Sequence, residues 1–172
     1  MTIGELNQLD QAGFVEAVGW IFEHSPWVAE RVWAARPFAG LDALHLAMRE
    51  QVERATFAER LALLKAHPDL GARARLSPAS TGEQAGAGLD SLSPAEFELL
   101  HRLNAAYRSR FGFPFLLAVK GSTKHDILRE LQARMETPPE DEFREALRQV
   151  YRIARFRLED TLSATVCGRL EA

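Results

Sequence analysis

Ser93-Pro94-Ala95-Glu96, followed by Phe97, Leu100, Leu103 and Tyr107, decides how this 172-residue chain folds. A serine at an N-cap accepts from the backbone N–H three residues on, and a glutamate there accepts in turn from the N–H of the cap. Proline suits the first helical position, where the N–H it lacks would have no partner anyway. The apolar residues that follow recur close to every 3.6 positions, so the spacing predicts a helix.

The same period recurs in both directions from this stretch. Phe14, Val18, Ile21 and Phe22 outline a helix that ends before Ser25-Pro26, and Pro26 opens another carrying Trp27, Val28, Val32 and Trp33. Leu41, Leu44, Met48 and Val52 mark a third, while Leu61 and Leu64 mark a fourth that runs toward His67. Downstream, Ile127, Leu128 and Leu131 outline a helix stopped by Thr137-Pro138-Pro139, and Phe143, Leu147, Val150, Ile153, Ala154 and Leu158 form a long final one. Only Phe113 to Val119 reads as extended, and one short run cannot make a sheet. The expected fold is all-α: a single compact domain over residues 1–172, of roughly seven to nine helices with one extended segment. Arg73 to Asp90 differs in texture, being rich in Ser, Gly, Ala and Pro with little to bury, and reads as a functional loop.

Composition narrows the function. A hydrophobic fraction of 47% supplies a core, and a net charge of -3 leaves no footprint for nucleic acid. Only Lys65, Lys120 and Lys124 could serve a Schiff-base mechanism. The single cysteine, Cys167, excludes an internal disulfide and fits a reducing compartment. Without a secretory or membrane-spanning apolar run, a cytoplasmic protein is expected.

Three stretches could carry chemistry. In Leu64-Lys65-Ala66-His67-Pro68-Asp69-Leu70-Gly71, proline disfavours the α conformation at His67, so the imidazole should sit at or just past a helix C-terminus. The negative end of the helix favours imidazolium there, which suits a general acid or base, although these residues taken alone read first as a helix stop whose histidine is satisfied by backbone carbonyls. A metal would need more ligands, and His24, His45, His101 and His125 show neither zinc spacing nor cysteine partners, so no metal is expected. In Ser80-Thr81-Gly82-Glu83-Gln84 the pair Ser80 and Glu83 reads as a capping box opening a helix. Ser80, Glu83 and Gln84 would then share one face, either as a simple cap or as a polar lip for an anionic, amide-rich ligand. In Arg108-Ser109-Arg110-Phe111-Gly112-Phe113-Pro114-Phe115 and the run to Gly121, the phenylalanines read as core. The extended backbone is left needing partners, and a planar ureido ligand would supply them.

His-Pro-Asp-Leu-Gly at 67–71, Ser-x-x-Glu-Gln at 80–84 and Arg-Phe-Gly-Phe-Pro-Phe at 110–115, in this order, resemble the OHCU (2-oxo-4-hydroxy-4-carboxy-5-ureidoimidazoline) decarboxylases of urate breakdown. Glu23-His24-Ser25-Pro26-Trp27 and Ile153-Ala154-Arg155-Phe156-Arg157-Leu158 extend the likeness over essentially the whole chain. The resemblance implies a cofactor-free decarboxylase of all-helical fold that yields (S)-allantoin and carbon dioxide, and a homodimer. Carried over by position, His67 is the catalytic acid/base and Pro68 lies beside the substrate. Ser80, Glu83 and Gln84 line the pocket, with Glu83 orienting His67 or accepting from substrate N–H groups. The backbone of Phe115, Leu116, Leu117, Ala118 and Val119 contacts the substrate, and Arg157 binds it, with Arg155 as the fallback. The rival class is a non-catalytic helical module that binds a small planar ligand or a partner protein, with Trp27 and Trp33 as candidate interface residues.

Overall fold

Four capping boxes set where helices begin. Thr2 with Glu5, Thr56 with Glu59, Ser93 with Glu96 and Thr123 with Asp126 each bond reciprocally, side chain to backbone. Arg31 and the Thr56 backbone hold the Glu59 carboxyl down at about 2, which keeps that cap ionised.

The computed structural model describes residues 1–72 and 77–162. Among them are nine α-helices: α1 (Ile3–Gln8), α2 (Gln11–Val18), α3 (Trp27–Val32), α4 (Leu41–Arg54), α5 (Phe57–Lys65), α6 (Pro78–Gly86), α7 (Pro94–Phe111), α8 (Lys124–Arg134) and α9 (Pro139–Leu162). A 3₁₀ turn, Trp33–Ala35, extends α3. The described residues contain no strand, so the all-α expectation holds. No helix among them is long and apolar enough to cross a membrane. Cys167 lies outside the described residues.

Several boundaries differ from those expected. The helix α1 has too few apolar residues to show a period. Ile21 and Phe22 lie beyond α2 but are buried all the same, so the apolar period outruns the helix. Within Arg73 to Asp90, where a loop with a helix opening at Ser80 is expected, α6 is opened instead by Ser77 with Pro78 at the first helical position, while residues 73–76 lie outside the described residues. Ser80 therefore does not cap a helix; its N–H donates to Ser77 Oγ at 3.1 Å. Ser-x-x-Glu fits a helix interior as readily as a start, and Ser77-Pro78 is the stronger signal.

The chain divides into two compact units. The first, Met1–Leu63 with Tyr151–Ala172, packs Leu6, Phe14, Val18, Phe22, Val32 and Leu44 out of solvent. There Arg31 and Arg36 lie over the half-buried rings of Trp27 and Trp33, at 4.5 and 4.2 Å from the centroids. The second, Leu64–Val150, has an aromatic centre. The Tyr107 ring meets Phe111, Phe113 and Phe115 at centroid distances of 4.6, 6.0 and 5.4 Å. The pairs with Phe113 and Phe115 are edge-to-face, and such pairs add roughly 0.5–1.5 kcal/mol each beyond burial.

Candidate active site

The residues that single out 64–150 for chemistry lie where helices stop. α5 ends at Lys65, and the His67 N–H closes a last turn onto Leu64 C=O at 3.3 Å, so proline at 68 terminates the helix as expected. His67 is buried, at 6% exposure, while Pro68 and Asp69 are half-buried.

Three side chains hold the loop that follows. Gln84 Oε1 accepts from Gly71 N–H at 2.9 Å, Asn104 Nδ2 donates to Leu70 C=O at 2.8 Å, and Arg108 pairs with Asp69 at 2.8 Å. Asn104 and Arg108 stand one turn apart on α7, and Leu100 one turn before them, so one face of that helix cradles the loop. Gly71 is required at this contact. Its φ is +76°, and an added Cβ would lie 2.6 Å from Leu100 Cδ2.

α6 brings Ser80, Glu83 and Gln84 onto a common face as the spacing predicts, with Ser80 and Gln84 buried and Glu83 half-buried. The Gln84 oxygen is committed to the loop, which leaves its Nε2 donors without a partner among the described residues.

After α7, Gly112 adopts the left-handed conformation at φ 79° and turns the chain into Phe113–Val119. Phe113, Pro114, Phe115, Leu116, Ala118 and Val119 are buried, whereas Leu117 is partly accessible. Among the described residues, three backbone groups of this segment have partners. Leu116 C=O accepts from Arg134 Nη1 at 2.6 Å, Ala118 N–H donates to Gln149 Oε1 at 3.0 Å, and Val119 C=O accepts from Ser122 N–H at 2.9 Å. Arg134 is buried against Glu142, whose Oε1 also accepts from the Tyr107 hydroxyl. Burial and that carboxylate push the Tyr107 phenol far above its usual pKa, so it stays a donor.

Arg157 belongs to the first unit. It is 3% exposed and pairs with Glu23 Oε2 at 2.9 Å, with its Nη1 also 3.3 Å from Ile21 C=O. Arg155, the fallback, is engaged by Asp42 and by Glu159 and is half-exposed. Sequence reasoning assigned no role to Asn104, Arg134, Glu142 or Gln149. The available signal was a polar residue inside an apolar stripe: Asn104 falls between Leu100 and Tyr107, and Glu142 and Gln149 flank Ala146 on the buried face of α9.

Comparison with known proteins adds a second line. The profile of the family described as OHCU decarboxylase matches residues 7–159. A 2-oxo-4-hydroxy-4-carboxy-5-ureidoimidazoline decarboxylase of Haloferax volcanii is 47% identical over 95% of this chain and 98% of its own. The uric acid degradation bifunctional protein PucL of Bacillus subtilis is 48% identical over 94% of this chain, which spans 33% of that protein. Among solved structures, an (S)-allantoin synthase superposes with a TM-score of 0.76 at 36% identity, covering 94% of this chain and 54% of that one. An OHCU decarboxylase crystallised in the presence of (S)-allantoin shares the fold, with a TM-score of 0.68 at 22% identity over 80% of this chain and 91% of that one. The chain belongs to the OHCU decarboxylase family.

Proposed function

We propose that His67 and Glu83 carry the reaction of this family, with Pro68, Ser80, Gln84 and the backbone of Phe115 to Val119 holding the substrate. The reaction is the decarboxylation of 2-oxo-4-hydroxy-4-carboxy-5-ureidoimidazoline, with (S)-allantoin as product, in uric acid degradation. In this substrate the departing carboxylate sits on a carbon that also bears a hydroxyl and lies next to a ring C=N. When that carbon–carbon bond breaks, carbon dioxide leaves and the electron pair flows into the C=N. Protonation of the neighbouring ureido-bearing carbon and loss of the hydroxyl proton then give the carbonyl of allantoin. The substrate thus brings its own electron sink, and the protein's task is to orient it, steady the developing charge and move a proton on one face.

His67 handles that proton. Glu83 orients the imidazole or accepts from substrate N–H groups. The bond from Gly71 N–H to Gln84 Oε1 carries this reading, because it ties the polar face of α6 directly to the loop that follows His67. Arg157 is assigned to the substrate on its sequence position. The same reading takes residues 1–172 as one decarboxylase domain, acting in the cytoplasm as a homodimer, which light scattering tests.

The main test follows freshly generated urate-oxidation product by circular dichroism. His67→Asn lowers the enzyme-dependent rate about 10²–10⁴-fold, with product chirality lost and the far-ultraviolet spectrum unchanged. Normal turnover by folded His67→Asn eliminates the assignment. Unchanged turnover in Glu83→Gln would remove Glu83 from the chemistry.

A further inference from the structure

Two buried side chains fix the peptide units on either side of Leu117. Arg134, the last residue of α8, holds the carbonyl of Leu116, and Gln149, within α9, holds the N–H of Ala118. Each is itself braced. Arg134 Nε donates to Glu142 Oε1 at 2.8 Å, and its guanidinium lies 4.7 Å over the Phe115 ring. Gln149 Nε2 donates to Glu145 Oε1 at 2.6 Å, which sets the orientation of its amide.

In a trans peptide unit the C=O and N–H point in opposite directions. The one cis bond among the described residues is Arg36-Pro37, far from this segment in the chain. Leu117 N–H shares a peptide unit with the carbonyl that Arg134 holds, so it is directed away from Arg134. Leu117 C=O shares one with the N–H that Gln149 holds, so it is directed away from Gln149. Neither has a hydrogen-bond partner among the described residues, and Leu117 is the one residue from Phe113 to Val119 that is not buried.

We propose that Arg134 and Gln149 are positioning residues for the decarboxylation, presenting Leu117 N–H and C=O as a preset donor–acceptor pair for a ureido or cyclic amide group of the substrate. This rests on the reading that Phe115 to Val119 faces the substrate. A ureido group or cyclic amide offers a carbonyl and an N–H side by side, the complement of the two groups on Leu117. Fixing both peptide units beforehand removes the ordering cost that binding would otherwise carry.

Gln149→Met is the sharpest test, because it keeps the volume and takes the acceptor from Ala118 N–H without stranding a charge. Initial rates with freshly generated urate-oxidation product are compared for the unmodified chain, Gln149→Met, His67→Asn and the exchange Glu145→Gln with Gln149→Glu. The exchange keeps an acceptor against Ala118 N–H and a donor behind it. Folded Gln149→Met raises KM roughly tenfold, about the worth of one hydrogen bond, with a smaller change in kcat. The exchange returns KM to within about threefold of the unmodified chain, a rescue that lost packing alone would not give. An unchanged KM in folded Gln149→Met overturns the proposal, as does an equal KM rise in the exchange. Should Gln149→Met fail to fold, Gln149→Leu, which also lacks the acceptor, takes its place and is read by the same criteria. His67→Asn separates the two levels. If it turns over normally, the site reading fails and this proposal with it; if it is inactive while Gln149→Met keeps its KM, only the positioning role fails.

Discussion

The loop from Pro68 to Gly71 and the segment from Phe113 to Val119 are both irregular and both carry candidate site groups, yet they are held by different chemistry. Neutral amides from Gln84 and Asn104 and a surface ion pair grip the loop. The segment is gripped by Gln149 and by an arginine whose countercharge, Glu142, is fully buried. The side chains around them account for the difference. Leu116 C=O takes a charge-assisted bond from Arg134, whose guanidinium lies over the Phe115 ring, and such a donor holds it more strongly than a neutral one would. The loop lies along α7, where a short amide reaches the backbone. Holding by neutral amides degrades by degrees, whereas holding by a buried pair fails abruptly.

The largest effect expected from this contrast is at Arg134. Arg134→Met leaves Glu142 buried without its countercharge and costs about 3–5 kcal/mol in urea unfolding. Adding Glu142→Met to that variant recovers part of the loss, since the stranded charge is gone. A cost below about 1 kcal/mol would erase the distinction between the two segments.

Next comes Asn104→Ala, which takes the donor from Leu70 C=O and costs about 1–3 kcal/mol. Turnover falls with it, because the loop that follows His67 loosens while α7 persists. Among the described residues Asn104 Oδ1 is buried without a hydrogen bond, so the amide is an expensive choice that packing alone does not explain. A folded Asn104→Ala chain of unchanged stability and turnover would show that Gln84 alone suffices.

The smallest effect is at the surface pair. Asp69→Asn costs between 0 and about 1 kcal/mol, and the difference from the unmodified chain shrinks as salt is added. A larger, salt-insensitive loss would move Asp69 from loop anchor to a member of the site.

How much of this was legible depended on the range of each interaction. The capping box at Ser93, the period through Tyr107 and the stop before Pro68 are local events, and the structure follows them closely. The misplaced start of α6 shows the limit, because two overlapping cap patterns three residues apart differ little in local energy. Asn104 reads in the sequence as one polar residue in an apolar stripe, and nothing nearby says that it meets Leu70, 34 residues earlier.

By itself, the sequence determined the helical fold, the position of His67 at a helix stop and the likeness to a family, because these depend on residue types at short fixed spacings. Tertiary structure alone decided that Gln84 would hold the loop, that Arg157 would pair with Glu23 and that Arg134 and Gln149 would orient the peptide units beside Leu117. Those contacts join residues 13 to over 130 positions apart, and apart from the Glu23 carboxylate their partners are backbone groups that every residue carries. A carbonyl has no signature in sequence; only the folded chain determines which one a buried side chain will reach.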